Sequence, residues 1–382
     1  MNRKPAPPRL IEVDTPLPWD LYDTRGNLLL CEGYKLKRDS ERDVLLARTP
    51  QVDAHLLPDD APAAAVTPPA PGTAARKPEI RHDPFRLWRS IVSELEDLLR
   101  SVLQREDFTR DALNIARLVQ TLTTHSADTA LAAIVLADQR RYPIVHSLHV
   151  AILCELVAAR LGWDETRRDS LGCAAITQNL AMLTLQAQLC VQRTAPTPQQ
   201  RQAIDRHPQL GEEVLKRAGV TDEIWLRAVL EHHEKPGGGG YPYGIGTPSE
   251  EAQLIQTADV FSAKLSPRAA RAPMAPQEAA RSLFLGTQNA ESNPYVAVMI
   301  KEIGIFPPGT FVQLANGETA MVLRRGSTAS TPHVMSLLSA SGVPFDRPVR
   351  RDTGIKTYEV ASVMPRDKLQ MRFNIETMWQ VS

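Results

Sequence analysis

Apolar side chains recur every three to four residues from residue 84 to residue 303, and this period restricts the chain to a largely helical fold. In the first segment the repeating positions are Trp88, Ile91, Val92, Leu95, Leu99 and Val102, which predicts a helix over 84–104. The pattern predicts further helices at 109–123, 128–139, 143–161, 166–189, 197–217, 222–233 and 251–265, with one or two more over 276–303. We therefore expect a mainly α protein whose central domain, 84–303, is an all-helical bundle.

The regions on either side of this domain have a different pattern. Residues 1–56 contain short apolar runs around a turn signal at 23–26, which predicts a small α/β or β module. Six prolines fall between residues 58 and 78, so 57–83 is predicted to be an extended linker. From residue 304 to 382 we expect a small β-rich appendage, because Asn316-Gly317 lies between two short apolar runs and indicates a hairpin, and TYEVASVM at 357–364 predicts a further strand.

Composition limits the partners and the compartment. The chain has 44 basic and 44 acidic residues, a balance that argues against a dedicated binder of nucleic-acid polymers but allows a small anion held by a local pair of arginines. We expect no membrane span and no secretory signal, because no apolar run is long enough. The four cysteines, Cys31, Cys154, Cys173 and Cys190, have no metal-type spacing, which favours free thiols and a cytoplasmic location.

The segment EHHEKPGGGGYPYG, at 231–244, carries the strongest chemical signal. Two adjacent histidines can reach one metal centre, and by themselves they also fit an ordinary solvated helix end. Four other segments stand around them in the chain: YPIVHSLHVA at 142–151, GCAAITQNLAML at 172–183, HPQLG at 207–211 and ADVFSAKLSPRAAR at 258–271. Taken in this order, the five segments resemble the HD-GYP domain, the bacterial branch of the HD phosphohydrolases that hydrolyses cyclic di-GMP.

The resemblance implies a defined chemistry. In that family two or three transition metals are held by histidines and carboxylates from several helices, and the aspartate of the His-Asp pair bridges them. The metals activate water for in-line attack on phosphorus and stabilise the charge on the phosphoryl oxygens. Closely spaced divalent cations need anionic ligands between them, because they otherwise repel strongly.

This chain departs from the family pattern at positions that the resemblance places at or near the metal site. Gln178-Asn179 stand where the family has His-Asp, and Met182 stands where it has lysine. Gly237 replaces the aspartate of the Asp-Gly pair, and Ser262 replaces the second aspartate of the last motif. Neutral amides are poor ligands for first-row metals and cannot supply a bridging negative charge. No residue is therefore assigned a catalytic role with certainty, and reduced hydrolysis is expected.

The resemblance leaves a partial set of metal ligands. The candidate ligands are His146, His207, His232, His233 and Asp259. They are enough for one divalent transition metal, iron or manganese, and binding of no metal stays open as well. His149 is interpreted as a structural residue.

Two further groups are candidates for ligand contact. Arg268 and Arg271 match the arginines of the last family motif, and three residues apart on one helical face they would fork onto phosphate oxygens. Tyr241-Pro242 belong to a loop that the family ties to substrate choice and to protein partners. The structural alternatives are exposed helix arginines and a turn that only stabilises the loop.

Three hypotheses for the function remain open. The first is a module of cyclic di-GMP signalling that binds this or a related cyclic dinucleotide with weak or no hydrolysis. The second is an active phosphodiesterase with a reduced metal site. The third is a protein-interaction module that recruits a partner through the Gly-Tyr-Pro loop, and the long helices before residue 142 also allow a homodimer.

Overall fold

The computed structural model describes residues 3–13, 15, 17–22, 28–30, 42, 45–46, 49–54, 84–136, 141–286 and 293–365. The chain divides into two compact units, Met1–Ile80 and Arg81–Ser382. The predicted linker at 57–83, the turn at 23–26 and Cys31 lie outside the described residues. The predicted domain boundaries stay a prediction.

The N-terminal unit contains a four-stranded sheet. Its strands are β1 (Arg3–Pro5), β2 (Leu21–Tyr22), β3 (Leu28–Leu30) and β4 (Gln51–Asp53), in the order β1-β4-β2-β3. All described pairings are antiparallel, and β2 pairs with β3 on either side of the predicted turn. A small core that includes Ile11, Leu21 and Val52 covers the sheet, as expected for a β module.

The second unit is built around a helical bundle, which confirms the predicted fold class. Its helices are α1 (Pro84–Arg100), α2 (Phe108–Leu136), α3 (Tyr142–Arg160), α4 (Glu165–Thr177), α5 (Leu183–Val191), α6 (Pro198–Arg217), α7 (Glu223–Glu231), α8 (Glu250–Leu265), α9 (Pro276–Gly286) and α10 (Tyr295–Ile303). Side-chain caps define several starts: Thr197 forms a capping box with Gln200 at α6, and Asp222 accepts from the Trp225 backbone at α7.

Helix α3 forms the centre of the bundle. It is long and apolar enough to cross a membrane by length and composition, which the sequence analysis did not anticipate. In the structure 89% of its most apolar stretch of 18 residues is buried, and α3 packs against α2, α4, α8 and α10. It therefore has the position of a central core helix, and its apolar composition follows from burial on all sides.

One of the predicted helices differs from the structure. The expected helices at 109–123 and 128–139 correspond to the two parts of α2, which are divided by a kink at Ser126, whose φ of −151° and ψ of 49° are not helical. The expected single helix at 166–189 is wrong, because α4 ends at Thr177 and α5 begins only at Leu183. Gln178-Asn179 therefore lie in a break between helices, and only a short 3₁₀ turn at Leu180–Met182 follows them.

A five-stranded antiparallel sheet follows the bundle. Its strands are β5 (Phe311–Leu314), β6 (Thr319–Arg324), β7 (His333–Leu338), β8 (Pro344–Asp352) and β9 (Val360–Val363), in the order β8-β7-β6-β5-β9. The predicted hairpin is confirmed: β5 pairs with β6 around Gly317, whose φ is +86°. The predicted strand near 360 is β9, whereas β7 and β8 were not predicted.

Candidate functional site

Three histidines from two helices meet in the bundle. His207 lies within α6, His232 follows the last residue of α7, and His233 is its neighbour. Each ring offers one nitrogen such that the three nitrogens lie within 4.8 Å of one another. We call His207, His232 and His233 the histidine cluster. Tertiary packing of α6 on α7 creates it, because His207 is 25 residues away from His232 in the chain.

Hydrogen bonds determine which ring nitrogens of the cluster are free. Nδ1 of His207 donates to the Ile204 carbonyl at 2.5 Å, and Nδ1 of His232 donates to the Val229 carbonyl at 2.6 Å. A carbonyl accepts only, so both protons sit on Nδ1 and both neutral rings present an unprotonated Nε2. These two Nε2 atoms face each other at 3.1 Å. Two lone pairs in that arrangement repel each other, and a cation held between them would remove the repulsion.

The cluster fits a transition metal. Two nitrogens that each lie about 2.1 Å from one ion are about 3.0 Å apart at a right angle, close to the observed separation. Burial, and then the charge of its neighbour His232, lowers the pKa of His207 to about 3, and burial also lowers the pKa values of His232 and His233. The rings therefore stay neutral, the form in which imidazole binds metal, and the Nδ1 bonds orient them.

The other two predicted ligands form a separate pair. Nε2 of His146 lies 2.7 Å from Oδ1 of Asp259, and the Asp259 side chain is 16% exposed. Burial by itself would raise the pKa of Asp259, but the hydrogen bond with His146 and the electrostatic interaction with the surrounding imidazoles hold that pKa well below its usual range. Asp259 is thus an ionised carboxylate that pairs directly with an imidazole. We call His146 and Asp259 the latch.

Neighbouring side chains hold His146 in place from its other edge. Nδ1 of His146 is 3.2 Å from the Ser262 hydroxyl and 3.5 Å from the Tyr142 hydroxyl, which in turn accepts from Arg268 at 2.8 Å. Tyr142 also stacks on the His146 ring. Ser262, which replaces an aspartate of the family, therefore serves as a short hydrogen-bonding group beside the latch.

The two amides take different positions. Asn179 is 3% exposed and lines a cleft together with His146, His233 and Asp259. Gln178 is fully buried, and neither of its amide atoms has a hydrogen-bond partner among the described residues. Two divalent ions about 4 Å apart repel by about 16 kcal/mol at an effective dielectric constant of about 20, and these neutral side chains cannot offset that repulsion.

The cleft beside the site has a volume of about 390 Å³, within the range of small-molecule pockets. Met182 and Tyr241 line it, as do three arginines: Arg193, Arg201 and Arg268. The sequence analysis missed Arg193 and Arg201, which lie after α5 and in the first turn of α6. Their local sequence gives no signal, because only the packing of α5, α6 and α8 brings them to the same cleft.

The expected pair of arginines on one helical face is wrong in geometry. Helix α8 ends at Leu265, and Arg268 and Arg271 close a tight turn through two backbone hydrogen bonds. Arg268 lines the cleft, whereas Arg271 is exposed and donates to the Ala263 carbonyl. The ligand-binding role of Arg268 stays a prediction, and the geometry gives Arg271 no place beside it.

The glycine-rich loop is shaped by close backbone contacts. A Cβ on Gly240 would lie 2.5 Å from Cα of Glu234, so only glycine fits there. Gly237 has a φ of +84°, which favours glycine over the aspartate of the family. Tyr241, joined to Pro242 by a cis peptide bond, stacks on His233 with ring centroids 4.5 Å apart.

Glu234 anchors this loop, a role that the sequence analysis did not assign. Its Oε1 accepts from the backbone nitrogens of Tyr243 at 2.7 Å and Gly244 at 3.0 Å. Its position in the quoted His-His-Glu segment was the available signal. His149, interpreted as structural, is 1% exposed in α3, and its Nε2 has no partner among the described residues.

Comparisons with known proteins agree with this architecture. Residues 116–291 match the family model described as HD domain. The chain is 25% identical over 373 residues to the cyclic di-GMP phosphodiesterase PA4108 of Pseudomonas aeruginosa, and the alignment covers 93% of this chain and 88% of that protein. It is 26% identical over 175 residues to the 3'3'-cGAMP-specific phosphodiesterase 3 of Vibrio cholerae, covering 45% of this chain and 38% of the relative.

A shorter match and a solved structure extend the comparison. The chain is 29% identical over 116 residues to the cyclic di-GMP phosphodiesterase response regulator RpfG of Xanthomonas campestris, which is 30% of this chain and 31% of that protein. Among solved structures, Bd1817, an HDG"Y"P protein from Bdellovibrio bacteriovorus, superimposes with a TM-score of 0.50 at 13% identity. That match covers 78% of this chain and 98% of Bd1817, and it supports the fold.

Residues 116–291 therefore have the sequence signature of an HD domain, and the helical bundle has the matching fold. The similarity to PA4108 along most of the chain and the ordered His, His-Pro, His-His-Glu and Gly-Tyr-Pro segments support the resemblance to the HD-GYP family.

Proposed function

We propose that this protein binds a cyclic dinucleotide, with cyclic di-GMP as the first candidate, and hydrolyses it weakly or not at all. The observation that carries the proposal is Asn179 at the wall of the cleft that the latch and His233 also line, at the position where the resemblance places a bridging carboxylate. A neutral amide there leaves the binding surface in place and removes the charge that a multinuclear metal centre needs.

The charges of the cleft favour an anionic ligand. Arg193, Arg201 and Arg268 line it against the single lining carboxylate of Asp259, which is itself paired with His146. Among the described residues, neither Arg193 nor Arg201 has an ion-pair partner, and the buried Nε of Arg268 has no hydrogen-bond partner. Guanidinium groups without an ion-pair partner can bind phosphodiester oxygens, and a cyclic dinucleotide carries two phosphodiester groups.

The groups that would assist hydrolysis are reduced in number. The lysine position holds Met182, and an apolar side chain cannot stabilise a leaving oxygen or a phosphate. His146 and Asp259 are hydrogen-bonded to each other, and Gln178 is buried with no hydrogen-bond partner for its amide among the described residues. A metal held by the histidine cluster would supply Lewis-acid stabilisation of phosphate charge.

A direct test measures binding and turnover on the same preparation of the full chain. Calorimetry with cyclic di-GMP, and with 3'3'-cGAMP as the second ligand, is expected to give a micromolar Kd for at least one of them. Chromatographic assays with added Mn²⁺ or Fe²⁺ are expected to show little linear product. Turnover at or above about 1 s⁻¹, an ordinary enzymatic rate, would refute the proposal.

A second candidate function is a metal-dependent cyclic di-GMP phosphodiesterase with a reduced site. The histidine cluster is the observation that favours it, because three neutral imidazoles suit one iron or manganese ion. PA4108, which aligns over most of this chain, is named for that activity. Metal-dependent turnover that disappears in a His207→Ala variant would favour this candidate over the first.

A third candidate is a docking role for the Gly-Tyr-Pro loop. Tyr243 is 62% exposed on this loop, and Glu234 holds its backbone in one conformation. Pull-down with a Tyr243→Ala control would separate docking from nucleotide binding.

We also propose a cytoplasmic location, which the free thiols of Cys154, Cys173 and Cys190 support.

A further inference from the structure

Three of the five predicted metal ligands, those of the histidine cluster, lie close enough together for one ion. Each ring of the cluster offers one nitrogen within 4.8 Å of the other two, and Nδ1–H bonds to backbone carbonyls orient the rings of His207 and His232. These carbonyls belong to the helices that carry the rings, so the arrangement is part of α6 and α7 themselves. A single ion with three imidazole ligands suits it.

The latch is closed by its own contacts. Nε2 of His146, the atom that would offer a lone pair to a metal, instead carries a proton and donates it to Oδ1 of Asp259, 2.7 Å away. The opposite edge of the ring is engaged by Ser262 and Tyr142, and Arg268 fixes the Tyr142 hydroxyl. Both polar edges of His146 are therefore occupied by protein groups, and a metal would have to break the short hydrogen bond to reach it.

The two amides provide no charge for a second ion. Asn179 is at the cleft wall and Gln178 is fully buried, and both side chains are neutral. A second divalent ion would face the first without an anionic ligand between them. The second aspartate of the last family motif is Ser262 here, so the carboxylate of that position is missing as well.

We infer that this chain binds one divalent transition metal through His207, His232 and His233, and that His146 and Asp259 form a closed pair that takes no part in holding it. The inference divides the predicted ligands into three that bind and two that do not. It does not depend on whether a cyclic dinucleotide binds, because the metal count is measured on the protein alone.

The test is metal stoichiometry of the full chain. Protein purified from medium supplemented with iron and manganese is analysed by elemental mass spectrometry, and chelator-treated protein is titrated with Co²⁺ by calorimetry. We expect one metal per chain by both methods. Near-zero content or two ions per chain in the wild-type protein would each overturn the inference.

Two matched variants separate the histidine cluster from the latch. His207→Ala is expected to lower the Co²⁺ stoichiometry from one to near zero, whereas Asp259→Asn, which keeps the shape of the side chain, is expected to leave it at one. Circular dichroism melting of each variant checks that it folds, and His233→Ala replaces His207→Ala if that variant does not fold. Loss of the ion in Asp259→Asn would show that the latch is a ligand and would overturn the division.

A double variant tests why the protein is expected to bind no second metal ion. Gln178→His combined with Asn179→Asp restores an imidazole and a bridging carboxylate, and we expect the stoichiometry to rise to two. In that background Asp259→Asn is expected to return it to one, because the carboxylate is then needed. A double variant that folds and still holds one ion would contradict the role assigned to the amides.

Discussion

Two clefts of the second unit differ in how their charges are matched. The larger of the two, of about 640 Å³, lies between the helical bundle and the C-terminal sheet, and four of its charged groups pair with one another: Arg325 bonds to Asp128 at 2.6 Å, and Glu302 contacts both Arg325 and Arg160. The smaller, of about 390 Å³, is the site cleft, where arginines and buried amides lack such partners.

This difference shows that size does not identify the functional site. A cleft whose charges are already paired has little electrostatic free energy left for a ligand. The site cleft contains Arg268, whose Nε is buried without a partner, and lies beside Gln178, whose amide is unsatisfied. Unsatisfied buried groups are costly to stability, so they are expected where a ligand completes them.

Among the substitutions that test this comparison, Arg268→Ala is expected to weaken cyclic di-GMP binding most. Hydrogen bonds to charged groups contribute about 1.5–3 kcal/mol, so loss of the guanidinium should weaken cyclic di-GMP binding by about 10- to 100-fold. Calorimetry measures the change. Arg271→Ala is the matched control, because that exposed side chain lies outside the cleft and bonds only to the Ala263 carbonyl. Equal effects of the two substitutions would remove Arg268 from the binding surface.

His149→Leu tests how much an unsatisfied buried polar group costs, through the pH dependence of the free energy of unfolding. Burial, with a smaller contribution from His146, lowers the pKa of His149 from 6.5 to about 3, so the unfolded chain binds the proton more readily than the folded chain. Stability from the neutral ring is therefore present above pH 6.5 and is lost as pH falls towards 3, by about 2 kcal/mol at pH 5 relative to pH 7. Urea unfolding of metal-free protein should show this loss in the wild type and a smaller loss in the variant.

Arg201→Ala sharpens the charge argument with a smaller effect. The residue is exposed at the cleft and has no ion-pair partner among the described residues, so solvent screens part of its contribution. We expect cyclic di-GMP binding to weaken by about 3- to 10-fold, with a steeper loss at low salt than at high salt. Binding that is unchanged at every salt concentration would mean that Arg201 does not face the ligand.

Arg325→Ala should change nucleotide binding least. It removes the cation that pairs with Asp128 and Glu302 in the larger cleft, and at 29% side-chain exposure this is expected to lower the free energy of unfolding by about 1 kcal/mol. The Kd for cyclic di-GMP should stay within about twofold of the wild-type value. A large loss of binding with an unchanged melting temperature would reverse the comparison between the clefts.

The sequence by itself determined the helical class, the hairpin at Asn316-Gly317 and the set of residues that replace family ligands. These depend on local spacing and residue type, which a single chain displays directly. The break after Thr177 was not readable, because an apolar run continues through Gln178-Asn179 and only packing shows that the helix ends there.

Tertiary structure alone decided which side chains meet. It joined His207 to His232 and His233, joined His146 to Asp259, and separated the two groups. It also brought Arg201 to the cleft and turned Arg271 away, although both are exposed arginines in polar sequence. The physical reason is that these contacts span 25 to 113 residues of chain, and helix packing, rather than any local preference, sets their distances.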